Sequence, residues 1–251
     1  MDQTIVYGIH TVERILRKNP NKVIELTVIT NGKNKRILTL TTIARQHNIL
    51  IRDMGKAELD IYCDDNNHQG IAAKLQPVDT VMLDEDDLLA LVEERKCSVL
   101  LILDGVQDPH NLGAILRTAD AAGVYAVVVP KDNSVKLTPV VRKVACGAAE
   151  TVPLITVKNL ARFLRSLQML GMWIIGAEEQ QRQTIYDVSL TGMVAIVLGA
   201  EGRGLRQLTA KHCDCLVSIP MYGQVESLNV SVAAGICLYE MVRQRIILGC
   251  Y

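Results

Sequence analysis

Short apolar runs that alternate with helical patterns constrain the fold of this chain more than any other feature of its sequence. In the longer, second part of the chain these runs lie at residues 99–103, 126–129, 173–175, 194–198 and 216–219. Helical patterns accompany them at residues 112–122, 160–170 and 230–245. Strands that alternate with helices predict a mostly parallel sheet with helices on both faces. Ligands of such sheets bind beyond the carboxyl ends of the strands, so the site is expected there.

The first part of the chain predicts a separate, small α/β unit. Strand patterns lie at residues 23–29, 49–53 and 71–75, and helical patterns lie at residues 8–17 and 35–47. Residues 77–95 then carry seven Asp and Glu against one Arg. We interpret them as an acidic linker in which residues 84–87 begin a short helix, because carboxylates favour helix N-termini. The predicted domains are therefore 1–76 and 96–251, joined by the linker 77–95.

The charge distribution permits an RNA partner, although the net charge of the whole chain is zero. Residues 1–76 contain 11 Lys and Arg against 8 Asp and Glu, and residues 96–251 contain 15 against 12. Each part has a net charge of +3 that the acidic linker hides. The apolar runs are far shorter than the roughly 20 residues that span a bilayer. No secretory signal is visible either, so we expect a cytoplasmic protein that does not enter a membrane.

The cysteines predict neither disulfides nor a metal site. Their number, seven, is odd, and reduced thiols are expected in a long chain without a secretory signal. Cys213 and Cys215 are separated by one residue and have no second pair. Zinc sites usually combine a C-x₂₋₄-C pair with distant ligands, so we expect no bound metal.

The first of three segments that suit a binding site is residues 103–119. A buried strand ends at Asp104, and a helix begins near Asn111, where free N–H groups attract anions. Taken alone, the segment is better explained by Asn111 as a helix N-cap and Arg117 as a solvated helix charge. The helix position of Arg117 still lets its side chain reach the loop.

The second and third segments each join a strand to a loop of small residues. In residues 197–204 an apolar strand leads into a loop with three glycines and Glu201. This loop does not match G-x-G-x-x-G, which disfavours NAD as a ligand. In residues 217–235 a strand stops at Pro220, and Ser227 or Asn229 suits the N-cap of the last long helix.

Together, the three segments resemble the motifs of the SpoU family of SPOUT methyltransferases, also called the TrmH family. The motifs N-x-G-x-x-x-R-[TS]-A, L-G-x-E-x-x-G, and I-P-M with S-L-N-V-S-V-A are similar to residues 111–119, 198–204 and 219–233. Residues 7–10 and 68–71 resemble the ribosomal-protein-like RNA-binding module of that family. The resemblance covers nearly the whole chain. Residues 104–149 are most similar to members that methylate a guanosine ribose 2′-hydroxyl in 23S ribosomal RNA.

The resemblance implies a C-terminal parallel-sheet SPOUT domain with a deep trefoil knot, preceded by a small α/β RNA-binding domain. It further implies a homodimer formed through the C-terminal domain and S-adenosyl-L-methionine as the cofactor. The implied cofactor-binding residues, which act mainly through their backbone, are Gly199, Ile219 and Leu228. The implied catalytic residues are Arg117, Asn111, Glu201, Ser227 and Asn229. The apolar tail at 246–251 has no counterpart in the family, and either covers a dimer face or is ragged.

Chemistry limits the role that Arg117 can take in this reaction. A guanidinium has a pKa above ~12 and rarely gives up a proton, so it is a poor general base. We expect it to hold the RNA phosphate and the developing alkoxide, with Glu201 as a partner that orients it. Proton removal then falls to the phosphate or to a water molecule. Glu226 stands where related sequences usually have a small residue. It either repels RNA phosphate, pairs with an arginine such as Arg203, or is an exposed loop charge.

The N-terminal domain offers basic residues for contacts with RNA phosphates, which position RNA without reading its sequence. The candidates are Arg14, Arg17, Lys18, Lys33, Lys35 and Arg36, each equally explained as part of a solvated face. Two other functions stay open: a methyltransferase that acts on tRNA, and a catalytically silent RNA-binding factor in ribosome assembly. The intact set of polar motif residues argues against the silent factor.

Overall fold

The chain forms two compact units, which divide between residues 81 and 82. The computed structural model describes residues 5–30, 34–63, 67–75, 83–96 and 98–249. The predicted domain boundary at residue 76, the start of the predicted linker, and Lys33 lie outside the described residues. Within the described ranges, no helix is both long and apolar enough to cross a membrane.

The first unit is a four-stranded mixed sheet with helices on both faces. Its elements in chain order are β1 (Ile5–Tyr7), α1 (Ile9–Lys18), β2 (Val23–Ile29), α2 (Lys35–Gln46), β3 (Leu50–Met54), α3 (Lys56–Tyr62) and β4 (Ile71–Leu75), with a short 3₁₀ helix at Pro20–Lys22. The strand order is β1-β4-β2-β3, in which only β2 and β3 run parallel. Helices α1 and α2 contribute to the larger apolar core, and Leu59 of α3 packs with Tyr7 and Met54. The prediction of an α/β unit is confirmed, although β1 and α3 were not predicted.

The two N-terminal segments that resemble the family's RNA-binding module hold the start of α1 in place. The side-chain Oε1 of Gln69 accepts a hydrogen bond from the backbone N–H of Ile9 at 2.9 Å, where the helix has no side-chain cap of its own. His68 is buried, and its Nδ1 accepts the N–H of Gly70 at 2.9 Å. The other ring nitrogen, Nε2, therefore carries the proton and donates to Asp60 Oδ1 at 2.8 Å. These segments have a structural task in this unit.

The acidic segment forms a helix that belongs to the second unit. Helix α4 (Glu85–Glu93) starts at Asp84, whose side chain accepts from the N–H groups of Asp86 and Asp87 in a capping box. Leu88 and Val92 are fully buried in the core of the second unit. The predicted helix is thus confirmed. The expectation that this part of residues 77–95 is a linker is corrected, because its apolar face packs in the core.

The second unit is a six-stranded, fully parallel sheet with helices on both faces, as the apolar pattern predicts. The strands are β5 (Val99–Asp104), β6 (Ala126–Pro130), β7 (Leu154–Val157), β8 (Trp173–Ala177), β9 (Val194–Gly199) and β10 (Cys215–Val217). The remaining helices are α5 (Pro109–Ala121), α6 (Pro139–Val144), α7 (Leu160–Met169), α8 (Gln207–Lys211) and α9 (Val230–Ile247), with short 3₁₀ helices at Ala148–Glu150 and Ile185–Asp187. The strand order is β10-β8-β9-β5-β6-β7. The trefoil knot that the family resemblance implies stays a prediction.

Two apolar cores sandwich this sheet. Helices α5, α6 and α9 cover one face, and α4, α7 and α8 cover the other. The far end of α9 is fixed by the buried side chain of Arg245, which donates to the backbone carbonyls of Leu190 at 3.1 Å and Gly192 at 2.5 Å. A buried guanidinium needs such partners, because an unpaired charge in a protein interior is costly.

The contact between α5 and α6 depends on the small size of Gly113. A Cβ added there would lie 2.6 Å from Cβ of Val144 and 2.9 Å from the carbonyl oxygen of Val141. We therefore expect Gly113→Ala to lower the free energy of unfolding by about 1–3 kcal/mol despite its better helix propensity. Urea denaturation measures this change.

Gly235 in α9 is the matched control, since a Cβ there would meet only Thr118 Cγ2 at 3.9 Å. Gly235→Ala should leave stability unchanged or raise it by about 0.5–1 kcal/mol. Equal effects of the two substitutions would contradict the packing argument for Gly113.

Candidate functional site at the carboxyl ends of β5 and β9

The site lies where the order of the strands reverses its direction along the sheet. From β5 the chain continues to β6 and β7 on one side, whereas β9 and β8 lie on the other side. The neighbours β5 and β9 end together, since Asp104 pairs with Gly199 in the parallel register. Open parallel sheets bind ligands at such switch points, beyond the carboxyl ends of the strands.

Three residues from three separate motifs form one hydrogen-bonded network here. The Oε1 atom of Glu201 accepts from Nδ2 of Asn111 at 3.1 Å, from Nδ2 of Asn229 at 2.6 Å and from the backbone N–H of Val230 at 3.3 Å. The Nδ2 atom of Asn229 also donates to Oδ1 of Asn111 at 2.9 Å. The carboxylate thus lies at the N-terminus of α9, where the helix dipole favours negative charge.

The two asparagines differ in their relation to helix capping. Helix α5 is capped by Asp108, whose side chain accepts the N–H of His110 at 3.0 Å. The interpretation of Asn111 as the N-cap is therefore wrong. Asn111 lies in the first turn, 8% exposed, and its side chain is available to the site. Of the two residues predicted to suit the N-cap of α9, Asn229 is the cap, and its side chain accepts the N–H of Ser231 at 3.0 Å.

Sequence reasoning missed a buried link that holds the loop at 200–206 against β5. The carboxylate of Asp104 is 1% exposed, and its Oδ2 accepts the backbone N–H of Arg206 at 3.0 Å. The Nε of Arg206 lies 3.5 Å from the other oxygen. The one available signal was a charged residue at the end of an otherwise apolar strand.

Arg117 lies outside the network. It is exposed on α5, and its Nη1 donates to Sγ of Cys146 at 3.8 Å. Among the described residues it forms no salt bridge, and the carboxylate of Glu201 is engaged by other donors. The expectation that Glu201 orients Arg117 is therefore corrected. Ser227 is exposed in the loop before α9, and no hydrogen bond joins it to the network within the described residues.

A cavity of about 380 Å³ adjoins the network and contains the three residues expected to bind the cofactor. Gly199, Ile219 and Leu228 line it, together with Glu201 and Ser227. The loop closes tightly on Gly199: a Cβ there would lie 2.0 Å from the carbonyl carbon of Gly204. Only glycine fits this position, because the loop backbone occupies the place of a side chain.

The lining of this cavity is acidic. Four carboxylates line it, those of Glu178, Glu179, Glu201 and Glu226, whereas no Lys or Arg lines it among the described residues. None of the four forms a salt bridge within the described ranges. The suggested pairing of Glu226 with Arg203 is therefore not observed, and Glu226 is an exposed loop charge.

The second unit also has a larger, more open hollow of about 950 Å³ at the amino ends of β8, β9 and β10. It contains Trp173, Cys213 and Cys215 but none of the motif residues. Burial, aided by the charge of Asp214, raises the pKa of Cys213 to about 12, so this thiol is protonated at neutral pH. No group of three metal-binding side chains occurs in the part of the chain that the structure describes.

The Glu201 network predicts a clear effect on stability. Glu201→Ala removes an acceptor shared by three donors and a negative charge at the start of α9, so it should cost about 1–2 kcal/mol in the free energy of unfolding. Urea denaturation of the purified protein measures the loss. Glu226→Ala, which removes a nearby carboxylate without such bonds, should change stability by less than about 0.5 kcal/mol. A similar loss in both variants would refute the structural role of the network.

Comparison with known proteins agrees with this arrangement in both units. Residues 98–239 match the model of the SpoU rRNA Methylase family, and residues 5–81 match a model described as RNA 2′-O ribose methyltransferase substrate binding. The 23S rRNA (guanosine-2′-O-)-methyltransferase RlmB of Pasteurella multocida (strain Pm70) is 51% identical over 242 residues, which are 96% of this chain and 98% of the relative. RlmB of Escherichia coli (strain K12) is 49% identical over 241 residues, with the same coverage.

Solved structures share the fold of nearly the whole chain. An RNA 2′-O ribose methyltransferase has a TM-score of 0.78 and 26% identity, over 97% of this chain and 89% of the other. The SpoU methyltransferase AviRb from Streptomyces viridochromogenes, crystallised with AdoMet, has a TM-score of 0.76 and 23% identity, over 98% and 91%. Family motifs, fold and full-length relatives agree, and the chain belongs to the SpoU rRNA methylase family.

Proposed function

We propose that this protein methylates the 2′-hydroxyl of a guanosine ribose in 23S ribosomal RNA, with S-adenosylmethionine as the methyl donor. One observation carries the proposal. Asn111, Glu201 and Asn229 come from three motifs and meet beside a cavity at the switch point of the sheet. The chain that builds this site is about half identical, over nearly its full length, to 23S rRNA (guanosine-2′-O-)-methyltransferases.

The cavity has the properties that S-adenosylmethionine requires. Ile219 and Leu228 provide apolar walls, and Gly199 lets the backbone of the loop at Gly204 pack closely beside the cavity. Its carboxylates suit a ligand with positive charge. When bound, the cofactor supplies an electrophilic methyl group on a sulfonium. The residues that would hold it are Gly199, Ile219 and Leu228.

Arg117 acts on the RNA in this mechanism. Its guanidinium is exposed and forms no salt bridge within the described residues, so its charge is available for an RNA phosphate. The same cation stabilises the oxygen of the ribose as it loses its proton. Asn111, Glu201 and Asn229 keep the loop at 200–206 and the start of α9 in register, which positions the reacting groups.

The N-terminal unit provides a basic surface for the RNA. Lys18, Lys35 and Arg36 are exposed, whereas the Nε of Arg17 already pairs with Glu13 at 3.0 Å. We therefore expect the first three to provide more of the phosphate contacts than Arg17. A ribosomal substrate also favours the cytoplasm as the place of action. Activity on tRNA, or a silent role in ribosome assembly, is the alternative that the experiment below tests.

A homodimer through the second unit is part of the proposal. Val232, Tyr239 and Ile246 on α9 are 49%, 52% and 62% exposed and follow one another at seven-residue spacing. This spacing puts them on one side of the helix, where a second copy would cover an otherwise exposed apolar stripe.

The activity is tested with radiolabelled S-adenosylmethionine and unmodified 23S rRNA or tRNA. We expect label in the 23S rRNA, at the 2′-oxygen of a guanosine, once the modified nucleotide is mapped. Label in tRNA alone would overturn the choice of substrate. No transfer to either RNA, or to assembling ribosomal particles, would overturn the proposed activity.

Substitution of Arg117 separates chemistry from cofactor binding. Arg117→Ala should reduce methyl transfer at least 100-fold, because a positioned cation at the developing alkoxide is lost, and should change cofactor affinity less than about twofold. Transfer assays and calorimetric titration measure the two quantities. Arg165→Ala, an exposed arginine on α7, is the control and should keep both values. A large loss of cofactor affinity in Arg117→Ala would assign Arg117 to the cofactor site.

The dimer is tested by light scattering coupled to size-exclusion chromatography. Tyr239→Glu puts a charge in the proposed interface and should shift the protein towards the monomer. Met169→Glu on α7, which packs on the other face of the sheet, changes a residue that is 80% exposed and should leave the mass unchanged. A monomeric wild-type protein would contradict the proposed dimer.

A further inference from the structure

Among the described residues, the charged side chains that line the cofactor cavity are all carboxylates. Glu178, Glu179, Glu201 and Glu226 line it, and within the described residues no Lys or Arg lines it or pairs with these carboxylates. Arg203 belongs to the neighbouring loop, is exposed, and is not among the lining residues. Backbone and aliphatic groups alone could line a cavity for the cofactor. The four carboxylates are therefore expected to have a role of their own.

The carboxylates reach the cavity from three different segments. Glu178 follows β8, its N–H donates to the carbonyl of Val217 at 2.9 Å, and its Oε1 lies 3.6 Å from the point where a Cβ on Gly204 would be. Glu201 lies in the loop after β9, and Glu226 lies in the loop before α9. The negative potential therefore comes from several sides of the cavity, and does not depend on one mobile side chain.

Methyl transfer changes the charge of the ligand in this cavity. S-adenosylmethionine carries a sulfonium, an ammonium and a carboxylate, so its net charge is positive. When the methyl group moves to the ribose oxygen, the electron pair of the broken C–S bond stays on sulfur and the hydroxyl proton passes to the RNA phosphate or to water. The product, S-adenosylhomocysteine, keeps its ammonium and carboxylate and is neutral overall. Its attraction to a negatively charged cavity is therefore weaker.

We propose that Glu178, Glu179 and Glu226 make this cavity selective for the cationic cofactor over its neutral product, so that the transfer itself promotes release of the product. This inference rests on the proposed function and deepens it. Glu201 adds to the potential, but its carboxylate also holds the loop and α9 together. Within the described residues, the other three carboxylates form no hydrogen bond to that network, so their charge can be removed without breaking it.

The test is calorimetric titration of the full chain with S-adenosylmethionine, S-adenosylhomocysteine and sinefungin, which carries an ammonium in place of the sulfonium. Glu178→Gln and Glu226→Gln keep the side-chain shape and remove one charge each. Each should weaken binding of the two cationic ligands about threefold, and the double variant about tenfold, with less than about twofold effect on the neutral product. Glu93→Gln, an exposed carboxylate at the end of α4, is the matched control and should have no effect.

Salt gives a second measurement that needs no variant. Raising the salt from about 0.05 M to about 0.5 M should weaken binding of the cationic ligands to the wild type more than binding of the product, because the carboxylates are solvent-accessible. An unchanged affinity ratio of cofactor to product, in both the double variant and high salt, would overturn the inference. A wild-type protein that binds neither ligand would instead overturn the proposed function, so the two failures are distinguishable.

Discussion

The carboxylate of Glu201 joins the parts of the site, and the arrangement of the motifs depends on it. One oxygen receives donors from α5, from the loop before α9 and from the first turn of α9. These segments are far apart in sequence, and 118 residues separate the two asparagines. A single charged acceptor at a helix N-terminus satisfies donors that would otherwise lack partners. The buried link between Asp104 and Arg206 completes the frame, since it fixes the other end of the same loop to the sheet.

Much of the fold could be predicted because the long elements repeat apolar residues at a clear period. Strands β2 and β4 have the predicted bounds, and the alternation of strands and helices gives the parallel sheet of the second unit. The elements that were missed are short, such as β7, α6 and α8, and a few residues give too little pattern to separate strand, helix and loop. The apolar run at 216–219 extends past β10, which ends at Val217, because the chain there leaves the sheet for the loop before α9.

The site, too, could be predicted from the sequence only in part. Asn111, Glu201 and Asn229 could be named because each lies in a motif, and the structure brings them together. The hydrogen bond between Asp104 and Arg206 could not be predicted, because it joins residues that are 102 positions apart and no local pattern links them. The acidic lining of the cavity could not be predicted for the same reason, because Glu178 and Glu226 are far apart in sequence and only the fold brings both to the cavity. The segment at 68–71 resembles an RNA-binding module in sequence, but in the structure Gln69 accepts the N–H of Ile9 at the start of α1, and His68 bonds to Gly70 and Asp60.

Helix α9 is fastened at both ends, and this has a consequence for communication within the protein. Its first residues belong to the Glu201 network, and Arg245 near its last turn binds the carbonyls of the segment at 190–192. Its 18 residues form a rod about 27 Å long. A rod held in this way moves as one body, so a partner that displaces its apolar stripe would also displace Asn229 at its tip. In the proposed dimer, contacts on this stripe would therefore act on the geometry of the site through a single helix.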